Sequence, residues 1–342
     1  LPAVFSFKTQ EELKIERVWQ VKQPQPDLCR TFAEQLGVSP VISQIMINRG
    51  IHSIDQARAF LRGTIADLHD PFLFPGMDRA AERIVRAIQS GEKILVFGDY
   101  DVDGITSVAL LMRLLHPYAK KNLFFHIPNR LEEGYGLNTQ AIEKAGRNGI
   151  KLIITVDCGI TAVAEVELAK SLGMDVIVTD HHEPPAVLPE ALALINPKIE
   201  GCPYPFRDLC GAGVAFKLAM AVADKLGLSN EEVFREIDLV ALATVADMVP
   251  LFGENRIIVK AGLERITKTT NEGLKALIAV CGIEGREITA GHLAYYLAPR
   301  INAAGRLGYA QTGINLFLAT DPDKALAFAR RLETENRERQ AI

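Results

Sequence analysis

The sequence predicts an α/β fold: a mostly parallel sheet with helices on both faces, plus helical segments toward the N-terminal and C-terminal ends. Three observations lead to this prediction. From residue 94 onward, apolar runs of strand length alternate with runs of helical periodicity, the pattern of βαβ units. The strand runs are continuously apolar, as in sheets covered on both faces. Three of these runs end in acidic residues.

The predicted elements are placed by apolar periodicity and by glycine and proline punctuation. Short helices are expected between about Asp27 and Gly63, before the alternating part of the chain. Beyond residue 256 the pattern is mainly helical, with a loop at 299–308. The elements between these regions are helix 78–89, strand 94–97, helix 105–115, strand 123–127, helix 139–146, strand 152–156, helix 163–172, strand 176–179 and, after a Pro/Gly/Cys-rich loop, helices 214–226 and 231–249.

Composition and charge restrict the function classes. The 342 residues, 48% hydrophobic and 23% charged, suit an ordinary globular protein of roughly two domains. A net charge of −4 leaves no overall basic footprint, so a nucleic acid would be held by local Arg/Lys clusters. No apolar run approaches the ~20 residues of a membrane helix, and the first residues do not resemble a signal peptide.

Five cysteines without a CxxC pair argue against a disulfide framework and a structural zinc site. They are typical of a reducing compartment, so we expect a cytoplasmic protein. The chain has no initiator methionine and ends within a helical pattern, so we expect it to be part of a longer protein.

Acidic residues and histidines follow three of the predicted strands. A carboxylate at the end of a buried strand has lost water and needs a compensating positive charge, and ligands of such sheets bind beyond the carboxyl ends of the strands. Mixed nitrogen and oxygen ligands suit manganese, whereas all-oxygen sites suit magnesium or calcium. The sequence therefore predicts a divalent metal site formed from Asp99, Asp101 and Asp103 after 94–97, Asp157 after 152–156, and Asp180, His181 and His182 after 176–179.

Asp247 adds a fourth acidic position. It lies in the most apolar predicted helix of the chain, where an unpaired carboxylate would cost several kcal/mol. It must therefore bind metal or pair with an arginine or lysine of another helix, and the sequence leaves both possibilities open.

Other interpretations of the acidic residues explain less. An EF-hand calcium loop that begins at Asp99 would need a glutamate at its twelfth position, where Leu110 stands. Helix capping accounts for one carboxylate of the first cluster but not for three. Asp157 taken alone is typical of a turn.

Four short segments together resemble the motifs of the DHH phosphoesterase superfamily, and they are Asp101–Gly104, Val156–Gly159, Thr179–His182 and Ala246–Pro250. Within it, residues 127–137, 211–215 and 300–306 closely resemble the RecJ family of bacterial single-strand-specific 5′→3′ DNA exonucleases. Cys158 departs from the asparagine that many members carry, and this chain ends where the family has a connecting helix and a further domain. The resemblance, from about Phe72 to Arg339, implies an N-terminal helical segment at 1–75, a DHH catalytic α/β domain at 76–255, a helical part at 256–330 that completes the core, and the start of the connecting helix at 331–342.

The resemblance implies a metal-dependent exonuclease that hydrolyses phosphodiester bonds of single-stranded DNA by a two-metal mechanism, in DNA repair and recombination. His182 would face the phosphate or serve as a ligand, Asp180 would orient the histidines, and Asp99 would lie behind the ligands. A single-strand-binding protein and a RecQ-type helicase are the implied partners. Two Mn²⁺ or Mg²⁺ ions would be held by Asp101, Asp103, Asp157, which bridges, His181 and Asp247.

Five residues are candidates for holding DNA. Arg130 can pair a terminal phosphate through its planar fork, unless it pairs with Glu132 or Glu133. Tyr135 can stack a base. The resemblance places the residues of the predicted polar loop at the substrate phosphates, where a helix-capping loop is the alternative; these residues are Arg300, Asn302 and Arg306.

Two other functions compete with this interpretation. A related phosphoesterase would cleave short oligonucleotides, cyclic dinucleotides or pyrophosphate, although a pyrophosphatase is expected to carry a histidine where Phe97 stands. A non-catalytic scaffold of the same family would lose its acidic ligands, and every one is present here.

Overall fold

The structure is a computed structural model that describes residues 23–130, 132–306 and 310–341, without the side chains of Arg306 and Ala341. The part of the predicted helical segment before residue 23, and the predicted role of the Arg306 side chain, lie outside the described residues. By its contacts the chain divides into two compact units between Arg62 and Gly63. The divisions predicted from the sequence at residues 75, 255 and 330 stay predictions.

The N-terminal unit contains three short helices, α1 (Pro26–Leu36), α2 (Pro40–Asn48) and α3 (Ile54–Arg62). Proline begins α1 and α2, where the N–H that proline lacks has no partner within the helix. Gly37 ends α1 in the left-handed conformation, at φ 68°. These helices confirm the prediction for this region.

A five-stranded parallel sheet forms the centre of the second unit. Every strand pair is parallel, and the spatial order is β2-β1-β3-β4-β5. This confirms the predicted α/β class and adds a short edge strand that the sequence pattern did not predict. The strands are β1 (Lys93–Gly98), β2 (Leu123–His126), β3 (Ile150–Val156), β4 (Asp175–Thr179) and β5 (Ala193–Ile195).

Successive residues of each strand point to opposite faces, and both faces are buried. In β1, Ile94 and Val96 belong to the larger apolar core, whereas Leu95 and Phe97 belong to a smaller one. This two-sided burial explains why the strands are apolar without alternation. The helices of the second unit are α4 (Met77–Gln89), α5 (Val102–Ala119), α6 (Thr139–Arg147), α7 (Val163–Ser171), α8 (Gly211–Lys225), α9 (Asn230–Phe234), α10 (Ile237–Ala246), α11 (Gly253–Ile266), α12 (Glu272–Val280), α13 (Ala290–His292), α14 (Ala298–Arg306), α15 (Ala310–Leu318) and α16 (Pro322–Ala341).

The larger core contains residues of α4, α5 and α8, and the smaller core contains residues of α6 and α7. Helices therefore cover both faces of the sheet, as predicted. Among the described residues, no helix combines the length and hydrophobicity needed to cross a membrane.

Three predicted elements differ from the structure. Helix α5 begins at Val102 rather than Ile105, because the Asp101 side chain accepts the Gly104 N–H and caps it. The helix predicted at 231–249 is two helices, α9 and α10.

The loop predicted at 299–308 is wrong over 299–306, which are helical in α14. A π-helical turn, Leu293–Leu297, leads into this helix. Pro299 stands two residues after this turn, and the helical run continues through it. A glycine in this position is typical of a helix end. Here a β-carbon on Gly305 would stand 2.1 Å from the Tyr100 carbonyl oxygen, so the glycine permits close packing instead.

Candidate active site

The ends of three strands are aligned side by side. Gly98 of β1 pairs with Val156 of β3, and Val156 pairs with Thr179 of β4. The next residue in each chain segment is an aspartate, namely Asp99, Asp157 and Asp180. The parallel register therefore brings the three predicted strand ends together at one edge of the sheet.

Asp103 is held by the N-terminus of α8. Its two carboxylate oxygens accept the backbone N–H groups of Gly211 at 2.6 Å and Ala212 at 2.7 Å. These N–H groups have no partner within the helix, and together with the positive end of the helix dipole they stabilise a negative charge. Asp103 lies within the first turn of α5 and is almost fully buried, so the link joins two helices across the site.

Asp157 has an unusual backbone conformation, with a φ of 59°. Left-handed geometry is uncommon outside glycine, although aspartate and asparagine tolerate it. The turn aims the carboxylate at His181, whose Nε2 lies 3.2 Å from Asp157 Oδ1. That contact lacks hydrogen-bond geometry, and this buried oxygen has no hydrogen-bond partner.

Asp180 contacts the backbone of His181 and both the backbone and the imidazole of His182. Its Oδ1 accepts the backbone N–H of His181 at 2.7 Å and of His182 at 3.0 Å, and lies 2.7 Å from His182 Nδ1. Its Oδ2 accepts the Ile160 N–H. A carboxylate that accepts these bonds leaves His182 Nδ1 as the donor and His182 Nε2 as the nitrogen for other partners. This geometry is the one expected of a residue that orients the histidines.

Asp247 is the residue that follows α10, not a residue inside it. Its Oδ2 lies 3.8 Å from His181 Nδ1 and has no hydrogen-bond partner. Over the described part of the chain, no lysine or arginine forms an ion pair with it. The alternative of a basic partner from another helix is therefore not supported within that part of the chain.

The cluster concentrates negative charge in a buried place. Burial, followed by repulsion from Asp101, raises the pKa of Asp99 to about 7 and of Asp247 to about 6. Burial, followed by repulsion from Asp103, raises the pKa of Asp157 well above its usual value. Burial and the nearby charge of His182 lower the pKa of His181 to about 4. The site therefore favours neutral groups until a cation compensates the carboxylates.

The pKa values of His182 and Asp180 shift in the opposite direction from those of His181 and the other aspartates just described. The hydrogen bond that His182 donates to Asp180 raises the pKa of His182, although burial acts against it. Burial alone would raise the pKa of Asp180, but its bonds to His182 outweigh burial and lower it. The two groups thus form a charge-assisted pair beside the carboxylate cluster.

The donor set fits divalent metal ions. Three buried carboxylate oxygens of the cluster lack hydrogen-bond partners, one each on Asp99, Asp157 and Asp247, and such acceptors without partners are typical of a site for a cation. Ligand atoms lie within 4.8 Å of one another in three overlapping groups. These groups are Asp157, His181 and His182; Asp103, His181 and Asp247; and Asp99, Asp101 and Asp157.

The structure therefore brings together all six predicted metal ligands. Asp99 stands among the potential ligands, as its strand-end position predicts, whereas the resemblance implied a place behind them. Gly211 is a residue that sequence reasoning did not assign to the site. Its signals in the sequence were a Gly-rich helix start after the Pro/Gly/Cys-rich loop and the resemblance of residues 211–215 to the RecJ family.

The predicted DNA contacts fall into two groups. Tyr135 lies at the cluster, where its hydroxyl is 3.4 Å from His182 Nδ1 and its ring meets the His182 ring edge-on at 6.0 Å. The Arg130 guanidinium lies 5.2 Å from the ring of Tyr100, a residue that the sequence analysis did not single out. Glu133 instead contacts His126 and the Asn129 N–H, so the alternative pairing of Arg130 with Glu133 is not observed.

Arg300 and Asn302 lie on helix α14 rather than in a loop. Arg300 Nε donates to Glu333 at 2.5 Å, and this pair is mostly buried. Asn302 Oδ1 accepts the Val102 N–H at 3.1 Å, at the start of α5. Asn302 therefore contacts the acidic segment, whereas Arg300 joins α14 to α16.

The sequence and the fold of this chain match those of known proteins. The model of the DHH family, N-terminal domain, matches residues 93–244. A solved structure of exonuclease RecJ bound to manganese is 39% identical with a TM-score of 0.72, and the matched region covers 78% of this chain and 67% of that one. The chain belongs to the RecJ family.

Other RecJ proteins extend the match over nearly the whole chain. RecJ of Bacillus subtilis is 43% identical over 324 residues, which are 95% of this chain and 40% of that protein. RecJ of Escherichia coli is 37% identical over 89% of this chain and 54% of its own length. The Mn²⁺ complex of Thermus thermophilus RecJ has a TM-score of 0.80 and 33% identity, over 94% of this chain and 45% of that one. The chain thus spans about half the length of the curated relatives it matches.

Proposed function

We propose that this chain is the catalytic part of a metal-dependent exonuclease that hydrolyses single-stranded DNA from the 5′ end, in DNA repair and recombination. The observation that carries the proposal is the cluster of buried carboxylates with three unpartnered oxygens at the ends of parallel strands. Its RecJ relatives are named single-stranded-DNA-specific exonucleases. Solved RecJ structures hold Mn²⁺ or Mg²⁺, and we propose two such ions here.

The ligands that we propose for these ions are the residues of the three overlapping groups other than His182, with Asp157 and His181 shared between groups. The ions would supply Lewis acidity toward the phosphate and a nucleophilic water at neutral pH. Asp103 is restrained by α8 and Asp157 by its left-handed turn. This preorganisation holds the carboxylates close together despite their repulsion.

His182 is the group that we propose to act on the phosphate or the leaving oxygen. Its Nδ1–H donates to Asp180, which leaves Nε2 to exchange a proton or a hydrogen bond with substrate. Asp180 is then a positioning residue, and Tyr135 lies against the same imidazole. Arg130, which is exposed at the same edge of the sheet, would pair the terminal phosphate. We assign Asn302 to the alignment of the acidic segment and Arg300 to the packing of α14 against α16, whereas Arg306 stays a predicted substrate contact.

The cellular setting follows from the family. We propose a cytoplasmic location, in keeping with cysteines that are all free in the described structure. A single-strand-binding protein and a RecQ-type helicase are the protein partners that we propose.

The test is digestion of a long single-stranded DNA labelled at either end, with Mn²⁺, with Mg²⁺ and with EDTA. We expect stepwise loss from the 5′ end that stops with EDTA. Asp157→Asn is the matched inactive control, because asparagine accepts the left-handed backbone at this position. Cleavage of dinucleotides without digestion of the long strand would favour a short-substrate phosphodiesterase and contradict the proposal.

A further inference from the structure

Met248 has a backbone conformation that does not suit its residue type. Its φ is 60°, and in this region methionine is disfavoured relative to glycine or asparagine. Among the described residues, three that are not glycine have a positive φ, and they are Lys120, Asp157 and Met248. Two of these three belong to or adjoin the metal cluster, and strained residues tend to concentrate at functional sites.

The strain is not offset by packing. The Met248 side chain is 88% exposed, the highest value among the exposed large apolar residues described. Its backbone N–H donates to the Val245 carbonyl and ends helix α10, a function that glycine performs with less strain. Stability of the described fold therefore favours glycine here, and the methionine side chain requires another explanation.

The position of Met248 suggests that explanation. It directly follows Asp247, whose Oδ2 lies 3.8 Å from His181 Nδ1 and has no hydrogen-bond partner. Tyr135, which is 50% exposed, lies against His182 in the same cluster. Two exposed side chains with large apolar surface therefore belong to residues that adjoin or contact the cluster, and a methionine thioether makes favourable contacts with aromatic rings.

We infer that Met248 contacts a nucleobase of the strand whose phosphate lies at the metal cluster, and so helps to hold the nucleotide during cleavage. This inference rests on the proposed function. The contact is with the base rather than the phosphate, because the side chain is uncharged and apolar. The strained backbone would be retained because it directs the side chain to the substrate.

The test compares the wild-type protein with Met248→Gly and Met248→Leu on two single-stranded substrates. One is a 5′-labelled oligonucleotide, and the other carries abasic sites at its first three nucleotides. For Met248→Gly on the normal strand we expect a KM about three- to ten-fold higher, the size of a lost apolar contact, with kcat within about two-fold. On the abasic strand the variant and the wild-type protein should match. Met248→Leu should restore the KM.

Two further measurements separate substrate contact from damage to the fold. The thermal midpoint of Met248→Gly should equal or exceed that of the wild-type protein, and its Mn²⁺ affinity by calorimetry should be unchanged. Equal KM values on the normal strand would overturn the inference while leaving the exonuclease proposal intact. An equal loss on both strands would assign Met248 to a protein contact instead and would also overturn it. If the wild-type protein does not digest single-stranded DNA, the proposed function fails and this inference fails with it.

Discussion

Gly211 lies so close to Asp157 that a β-carbon on Gly211 would stand 2.5 Å from the Asp157 Cβ and Oδ1 atoms. The Gly211 N–H also donates to Asp103 at 2.6 Å. One glycine at the start of α8 therefore sets the positions of two candidate metal ligands. The absence of a side chain is what allows the helix N-terminus to reach both carboxylates.

Gly211→Ala should displace Asp157 and weaken the bond to Asp103. We expect activity on single-stranded DNA to fall by at least ~100-fold, since a shift of about 1 Å in catalytic geometry has effects of this size. Overpacking should also lower the free energy of unfolding by about 1–3 kcal/mol. Gly291→Ala is a matched control, because the nearest atom to its added β-carbon is 3.6 Å away. Near wild-type activity in Gly211→Ala would contradict the assigned role.

Asp157→Asn should abolish activity without unfolding the protein. The substitution removes a buried negative charge from a cluster whose carboxylates raise one another's pKa, while the side-chain shape and the left-handed backbone are kept. In EDTA at pH 8 we therefore expect its thermal midpoint to equal or exceed that of the wild-type protein.

The same variant tests the metal site directly. Ligand binding to the native state raises its apparent stability, so Mn²⁺ should raise the thermal midpoint of the wild-type protein much more than that of Asp157→Asn. Asp224→Asn, a substitution outside the cluster, should respond to Mn²⁺ as the wild-type protein does. An equal Mn²⁺ response in Asp157→Asn would count against Asp157 as a ligand.

The sequence predicted the strand-end carboxylates because a parallel sheet gives a simple rule. Strands with aligned registers end at the same edge, so Asp99, Asp157 and Asp180 had to become neighbours once the strands were recognised. The half-buried position of Asp247 is close to what its apolar surroundings predicted, although its location after the helix rather than within it was not predicted.

The contacts between distant helices were not predictable in this way. Asp103 bonds to Gly211 across 108 residues, and Asn302 bonds to Val102 across 200. Periodicity reports which face of a helix is buried, but not which helix end meets which loop. The loop predicted over the small residues of α14 is wrong for the same reason. Gly305 allows close packing against Tyr100, a contact between distant residues that periodicity does not predict.

Asp238 gives a stability prediction that is independent of the metal site. Burial raises its pKa to about 6, although a hydrogen bond from Thr269 opposes this. Since the pKa of Asp238 is higher in the folded than in the unfolded state, ionisation is disfavoured by folding. The contribution of the Asp238 carboxyl group to the free energy of unfolding is therefore complete below about pH 4. It is lost as the pH rises to about 6, and the loss is about 3 kcal/mol.

Asp238→Asn should remove this pH dependence. Asparagine retains an acceptor for the Leu239 N–H and offers its amide N–H to the Thr269 hydroxyl. The measurement is urea unfolding of both proteins at pH 4 and pH 7. We expect the stability of the variant relative to the wild-type protein to increase by about 2–3 kcal/mol between these values. No change in the relative stability would show that Asp238 ionises without cost in the fold.

Arg130 and Arg300 were both predicted to bind DNA, and their surroundings predict different results on substitution. Arg130 is exposed and contacts the ring of Tyr100, whereas Arg300 is 14% exposed and paired with Glu333. Arg130→Gln should therefore raise the KM for 5′-phosphorylated DNA about ten-fold or more, as expected for a lost phosphate contact, with little change in stability.

Arg300→Gln should act mainly on the fold. Removing Arg300 takes away the less exposed of the two arginines that pair with Glu333 and leaves only the exposed Arg337, so we expect a loss of about 1–3 kcal/mol in the free energy of unfolding. Below the midpoint of unfolding, its KM for 5′-phosphorylated DNA should stay within about two-fold of the wild-type value. Glu333→Gln is the matched variant, because it breaks the same pair and leaves the arginine in place. Only Arg300→Gln removes the guanidinium. If this variant raises the KM and Glu333→Gln does not, Arg300 binds DNA in addition to its pairing with Glu333.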